Sequence, residues 1–163
     1  MADDKVLFHL GCGGDYKKGF VNVDRTTISP RGREQKVDLV FELGEKFPFM
    51  DDNFVDGIVA MHVFQQLQWR GLVCCFRECY RILKPGGVLR FGSPTVDLEE
   101  YDLDYLLGWN NINLFSVDIV VRVLYRIKFS SVFIREFGQS AFPVLATVDN
   151  RKDRGTTYFE AIK

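Results

Sequence analysis

Apolar positions along this chain come in short runs separated by glycine, proline and acidic turns, with a few longer stretches at three-to-four spacing. The short runs predict strands over residues 6–10, 20–23, 37–43, 54–61, 88–92, 132–137 and 156–162. Helical spacing of Leu72, Phe76, Cys79, Tyr80 and Leu83 predicts a helix from Trp69, stopped at Lys84-Pro85-Gly86-Gly87 with basic residues in its last turn. A second helix is expected around 98–107 and a third over 116–127, where Asp118, Arg122 and Arg126 recur every four positions as one charged stripe. Strands alternate with helices, and two late strands flank a polar link at 146–155. That order predicts an α/β fold in three αβα layers, with a mostly parallel sheet and an antiparallel C-terminal edge strand. No internal repeat or low-complexity segment interrupts it, so residues 1–163 are expected to form one domain.

One connection departs from that alternation. In LGCGGDYKKGFVNVD the first strand ends in a glycine turn and the second ends on Asp24, as in a nucleotide-binding βαβ unit, yet only residues 15–23 separate Gly14 from Asp24. A helix does not fit there, so residues 15–19 are expected to be a loop and the first crossover to be shortened. The SPRGR stretch at 29–33 leaves equally little room for a helix before the third strand.

Composition narrows the function classes. Of 163 residues, 47% are hydrophobic and 26% charged, an ordinary globular balance, and 15 Phe favour strands and aromatic packing. A formal net charge of −1 argues against a nucleic-acid partner, which would need a clustered basic face. MADDKVLFHL lacks the basic and apolar regions of a signal peptide, so a cytoplasmic location is expected. The most apolar region, 112–129, is amphipathic through its charged stripe, so no membrane span is expected. Cys12, Cys74, Cys75 and Cys79 show neither a disulfide framework nor zinc-ligand spacing and are read as core thiols, with no metal site.

Five segments in order carry a family pattern: LGCGG at 10–14, NVD at 22–24, VFELGEKFPF at 40–49, DDNFVDGIVAMHVFQQL at 51–67 and ECYRILKPGGVLRFGSP at 78–94. The chain resembles the class I S-adenosylmethionine-dependent methyltransferases, in particular their small bacterial, type 11-like branch. The resemblance implies a Rossmann-like fold and S-adenosyl-L-methionine as cofactor. It places Gly11, Cys12, Gly13 and Gly14 in the turn against the methionine part, where side chains at Gly11 and Gly13 would fill the space. Asp24, at a strand end, is expected to accept hydrogen bonds from the ribose hydroxyls. Glu42 and Leu43 would meet the adenine, and Met61 and His62 follow the fourth strand at the ligand-binding edge.

S-Adenosylmethionine carries no phosphate, so a loop can stand where a dinucleotide needs a helix N-terminus. A nicotinamide cofactor is disfavoured for that reason, and the third glycine position of GxGxxG holds Tyr16. His62 is the candidate general base, since imidazole titrates near neutrality, and a hydrogen-bonded histidine that merely orders the cleft is the alternative. His9 lies inside the first strand and is read as structural. Relatives commonly read HVLEHL where this chain has HVFQQL, so Gln65 and Gln66 replace an acid and a base. Tyr101, Tyr105, Trp109, Asn110 and Asn111 offer aromatic faces and amides for an acceptor, though helical spacing equally suits core packing. The expected activity is methyl transfer to a small molecule or a glycan precursor, the latter by family analogy. The alternative is a cofactor-binding or partner module without turnover. A homodimer is a further expectation.

Overall fold

The computed structural model describes residues 5–48, 50–96, 112–113, 115–149 and 156–163. Seven strands form one sheet: β1 (Leu7–Leu10), β2 (Val21–Asp24), β3 (Leu39–Val40), β4 (Val55–Met61), β5 (Leu83–Pro94), β6 (Ser131–Arg135) and β7 (Thr156–Ile162). Their spatial order is β3-β2-β1-β4-β5-β7-β6. The first five are mutually parallel, while β7 runs antiparallel to both β5 and β6. The C-terminal strand is thus antiparallel as expected, with β6 lying outside it as the edge.

Among the described residues the helices are α1 (Trp69–Ile82), α2 (Val117–Ile127) and the one-turn α3 (Pro143–Ala146), with a 3₁₀ turn at Phe64–Gln66. The apolar periodicity located α1 and α2 to within a residue or two, because each buries one stripe: Leu72, Cys75, Phe76, Cys79 and Ile82 in α1, Val120 and Leu124 in α2. Ser116 caps α2, its side chain accepting the Ile119 N–H at 3.3 Å. Asp118 and Arg122 pair at 2.8 Å on its exposed side. The 98–107 helix expected from sequence lies outside the described residues. The third strand is shorter than the apolar run at 37–43, since only Leu39 and Val40 pair with β2. Its neighbours Phe41 and Leu43 turn instead toward the interior and a cleft.

The Lys84-Pro85-Gly86-Gly87 stop signal has a second role. β5 begins immediately after α1, and this tetrapeptide is looped out of it, since Val55 pairs with Leu83 while Gly57 pairs with Val88. Gly86 takes a φ of +78° there, and its N–H donates to the carbonyl of Lys163.

The two sheet faces are covered differently. α1 and α2 pack on one, over Phe8, Leu10, Ile58, Leu89, Phe91 and Phe159. Phe91 sits in an aromatic cluster with Phe64, Phe76 and Phe159, at centroid distances of 5.1, 5.4 and 4.8 Å. Among the described residues, the opposite face, with Leu7, Val59, Met61, Val88 and Tyr158, is covered by Phe20 and by residues 136–149. Gly57 permits that close cover, because a Cβ there would lie 3.0 Å from Leu145 and 3.2 Å from Phe142. Residues 136–149 also deliver charge: Asp149 binds the fully buried Arg90 at 3.0 and 2.5 Å, and Glu160 accepts from Arg135, Ser140 and the Ala141 N–H.

Candidate functional site

The parallel strands β1, β2 and β4 end at the same edge, and a cleft of about 400 Å³ opens there. Its size falls within the roughly 300–1,000 Å³ of small-molecule sites. Gly11 and Gly13 from the first turn, Asp24 from the end of β2, Glu42 and Leu43 after β3, and His62 after β4 all line it. These six were singled out from sequence, and they converge from four separate connections.

The glycine turn is shaped by two different demands. Gly11 has a φ of +61°, and a Cβ there would come within 2.3 Å of Val63 Cγ2, so packing against the segment after β4 requires glycine. Gly13 has a φ of +52° and nothing within 4 Å of a Cβ position, so its outer side is open space. The Gly13 N–H donates to Asp24 Oδ2 at 2.8 Å, tying the turn to the end of β2. Among the described residues, Asp24 Oδ1 receives only a long 3.4 Å bond from the Thr26 N–H.

Asn22 explains how a loop replaces the first crossover helix. Its fully buried amide donates to the carbonyls of Lys17 and Phe20 and to Asp38 Oδ2, each at 2.9 Å, and its Oδ1 accepts the Lys17 N–H at 2.9 Å. One side chain thereby satisfies backbone groups that a helix would have paired internally. Donation from the Asn22 amide and from its backbone N–H holds the exposed Asp38 carboxyl below its ordinary range. His9 lies beneath the loop, Nδ1 3.3 Å from Asn22 Oδ1 and its ring edge-on to Phe20. Burial lowers the His9 pKa, against the opposing effect of its hydrogen bond to Asn22 Oδ1. A neutral, structural histidine is the result.

Cys12, Gly14 and Met61 are not among the cleft-lining residues. Cys12 is buried beneath the turn, its thiol pushed up to about 12 by burial and by the charge of Asp24, so it is no nucleophile. Gly14 faces solvent. Met61 points to the opposite sheet face, because side chains alternate along β4 and Ala60 takes the helix side.

His62 occupies the left-handed region, with a φ of +58°. Its N–H donates to the Gly92 carbonyl at 2.9 Å, its carbonyl accepts from Gln66 Nε2 at 3.0 Å, and its ring Nε2 lies 3.2 Å from Thr156 Oγ1. Gln65 is buried, and its Oε1 accepts from Ser93 Oγ at 3.2 Å. Both glutamines of HVFQQL therefore brace the segment after β4.

The sequence reading missed part of the wall. Thr26, Ile28 and Gln35 belong to a small hairpin closed by an Ile28–Glu34 bridge, whereas the sequence signals only a loop at 29–33. Gln35 Nε2 pins it by donating to the Thr26 carbonyl at 2.9 Å. Phe41 and Gln66 lay inside quoted motifs but carried no separate signal. The acceptor candidates Tyr101, Tyr105, Trp109, Asn110 and Asn111 lie outside the described residues.

Residues 7–91, just over half of the chain, match the family model described as a methyltransferase domain. The chain belongs to the class I, S-adenosylmethionine-dependent methyltransferase family. No curated protein matches this methyltransferase in sequence. Among solved structures it is similar to a SAM-dependent methyltransferase from Archaeoglobus fulgidus, at 16% identity and a TM-score of 0.67, over 98% of this chain and 86% of the other. A Haemonchus contortus phosphoethanolamine N-methyltransferase 2 in complex with S-adenosyl-L-methionine superposes with a TM-score of 0.66 at 14% identity, over 98% of this chain and 48% of that one. A Haloferax volcanii complex of a methyltransferase with the Trm112 activator gives 0.61 at 19% identity, over 98% and 82%. At these identities the likeness is one of fold.

Proposed function

We propose that the cleft of this S-adenosylmethionine-dependent methyltransferase binds its cofactor through Gly11, Gly13, Asp24, Glu42 and Leu43 and presents it to a small-molecule acceptor beside His62. The observation that carries the reading is the open space outside Gly13, held in place by the bond from its own N–H to Asp24. A backbone edge with no side chain, next to a carboxylate, suits the methionine end of the cofactor and its ribose. Asp24 Oδ2 is occupied by the turn, which leaves the lone pairs of Oδ1 for ribose hydroxyls. Leu43 and Phe41 give apolar faces for the adenine, and Glu42 an acceptor for its amino group.

When bound, S-adenosylmethionine supplies a methyl group on a cationic sulfur, open to in-line displacement. The chain's own contribution is then mainly alignment, which accounts for a large share of rate acceleration in such displacements. His62 takes the proton lost by a hydroxyl or amine acceptor, breaking its O–H or N–H bond and forming N–H on the imidazole. Acceptors that are already anionic need no such step. A glycan precursor is one small-molecule class that fits this reading, and cytoplasmic action goes with it.

A second reading, a cofactor-binding module without turnover, draws on one observation. Gln65 and Gln66 stand where relatives carry an acid and a base, and both are committed to bracing the chain after β4.

Calorimetric titration with S-adenosylhomocysteine, with NAD and the Asp24→Ala variant in parallel, tests the cofactor site. Micromolar binding of S-adenosylhomocysteine, lost in the variant and absent for NAD, is expected. A folded protein that binds neither ligand overturns the site assignment. Turnover with a methyl acceptor separates the enzyme from the module.

A further inference from the structure

We infer that Thr156, at the start of β7, is a positioning residue that fixes the imidazole of His62 in the cleft. The inference rests on the reading of His62 as the site's proton acceptor. Thr156 is 94 residues away from His62 in the chain, and its hydroxyl stands 3.2 Å from the ring Nε2.

His62 needs holding from outside. A residue other than glycine at φ +58° sits in a region that costs roughly 1–2 kcal/mol and persists only where its surroundings over-determine it. Two of the restraints fasten the backbone, through the Gly92 carbonyl and the Gln66 amide. The bond to Thr156 restrains the ring itself.

Thr156 is held in its turn. It pairs with Pro94 across the β5–β7 ladder, so its backbone is fixed. Its methyl lies over Gly92, where an added Cβ would be 3.0 Å from Thr156 Cγ2 and 3.0 Å from Met61 Sδ. A β-branched side chain with its methyl packed in this way has a restricted χ1, which also sets the direction of the hydroxyl. Gly92 therefore admits the methyl, the methyl fixes the rotamer, and the rotamer fixes the hydroxyl against the imidazole. Met61, buried away from the cleft, becomes part of the floor of that arrangement.

A hydroxyl suits a neighbour that gains and loses a proton. It donates to Nε2 when that nitrogen carries a lone pair and accepts from Nε2–H when it carries a proton, so the ring keeps its partner in both states. A carboxylate in the same place would favour the charged imidazolium, and an aliphatic side chain would hold neither form.

The test separates shape from hydrogen bonding. Thr156→Val keeps the branched shape and removes the hydroxyl, whereas Thr156→Ser keeps the hydroxyl. The chain has only two histidines, so nitrogen-15 spectra of the imidazoles are readily assigned with a His62→Asn variant. Because the hydroxyl partners Nε2 in either state, its loss in Thr156→Val should move the His62 Nε2 signal out of its hydrogen-bonded position and release the ring from a single orientation. Thr156→Ser should restore the wild-type His62 signals, with the His9 signals unmoved in both variants. Ring signals of His62 in Thr156→Val identical to wild type, or a serine variant that behaves like the valine one, overturn the inference. S-Adenosylhomocysteine titration of the same proteins keeps the two questions apart: affinity should stay within about threefold of wild type in both variants, because Thr156 is not among the cofactor contacts. Loss of binding already in the wild type would overturn the cofactor reading while leaving the Thr156 result to be read by itself.

Discussion

The two faces of the sheet are built by different physics. On the face under α1 and α2, apolar stripes meet apolar strands, and Phe64, Phe76, Phe91 and Phe159 form one aromatic cluster. On the other face the first crossover supplies only a loop, and a smaller apolar cluster around Phe20, Val59, Leu145 and Val148 is held down by single polar anchors: Asn22 under the glycine loop, and Arg90 and Glu160 under residues 136–149. Burial of apolar area is additive and tolerant of detail, whereas a buried polar anchor is all or none. The second face should therefore be the more fragile to single substitutions, and it is the face that carries the floor beneath His62.

Arg90 offers the sharpest break in that comparison. Its side chain is fully buried, it binds Asp149 twice and the Glu136 carbonyl once, and its Nη1 has no hydrogen-bond partner among the described residues. Arg90→Met should destabilise the fold by about 3–5 kcal/mol, because it leaves Asp149 buried without its cation. Replacing both, as Arg90→Met with Asp149→Leu, should recover most of that loss, since a buried ion pair adds little over apolar packing. Urea-unfolding midpoints of the two proteins check this, and equal losses would show that the pair itself, rather than an orphaned charge, sets the stability.

The next largest effect belongs to the glycine turn. Gly11→Ala should cost about 2–3 kcal/mol, combining a left-handed φ with a Cβ driven to 2.3 Å from Val63. Val63→Ala in the same protein should return part of that, leaving only the backbone strain. Gly13→Ala has no such clash and should affect folding less, yet weaken S-adenosylhomocysteine binding more. Thermal melts beside calorimetric titrations distinguish the two glycines, and equal loss of affinity with equal loss of stability would remove the separate role given to Gly13.

How much of this was legible in the sequence follows the same division. Apolar periodicity is local, so α1, α2 and most strands could be read directly, and Ser116 marked the start of α2. The convergence of Gly11, Gly13, Asp24, Glu42, Leu43 and His62 was legible through motif order, because parallel strands carry their ends to one edge. The cover of the second face was not, since it depends on pairs such as Arg90 with Asp149 and His62 with Thr156, 59 and 94 residues apart. Met61 was assigned to the site from its position after the strand, but strand alternation turns it to the other face. Asn22 was quoted only as part of NVD, although its amide is what lets a loop replace a helix. A further, smaller test lies on the helix side: Ser116→Ala should cost about 1 kcal/mol in the same unfolding assay, the worth of one N-cap.

Acidification should separate the two faces with the smallest free-energy change of all. On the helix side, Glu78 is partly desolvated, which alone would raise its pKa, but the Arg81 guanidinium and the Phe47 N–H hold it below the usual carboxylate range. On the loop side, burial holds His9 below its ordinary value. Both groups bind protons more readily in the unfolded chain, so stability rises with pH across each interval and is lost on acidification. The intervals differ. The contribution of His9 is present above about pH 6.5, its unfolded value, and falls away as pH drops toward the lower folded one, whereas Glu78 begins to contribute its loss only below about pH 4.5. Unfolding midpoints followed from pH 7.5 to 4 should therefore show an early decline that His9→Gln flattens, and a later one that Glu78→Gln flattens. An early decline unchanged in His9→Gln would place the first acid-sensitive contact outside the glycine loop.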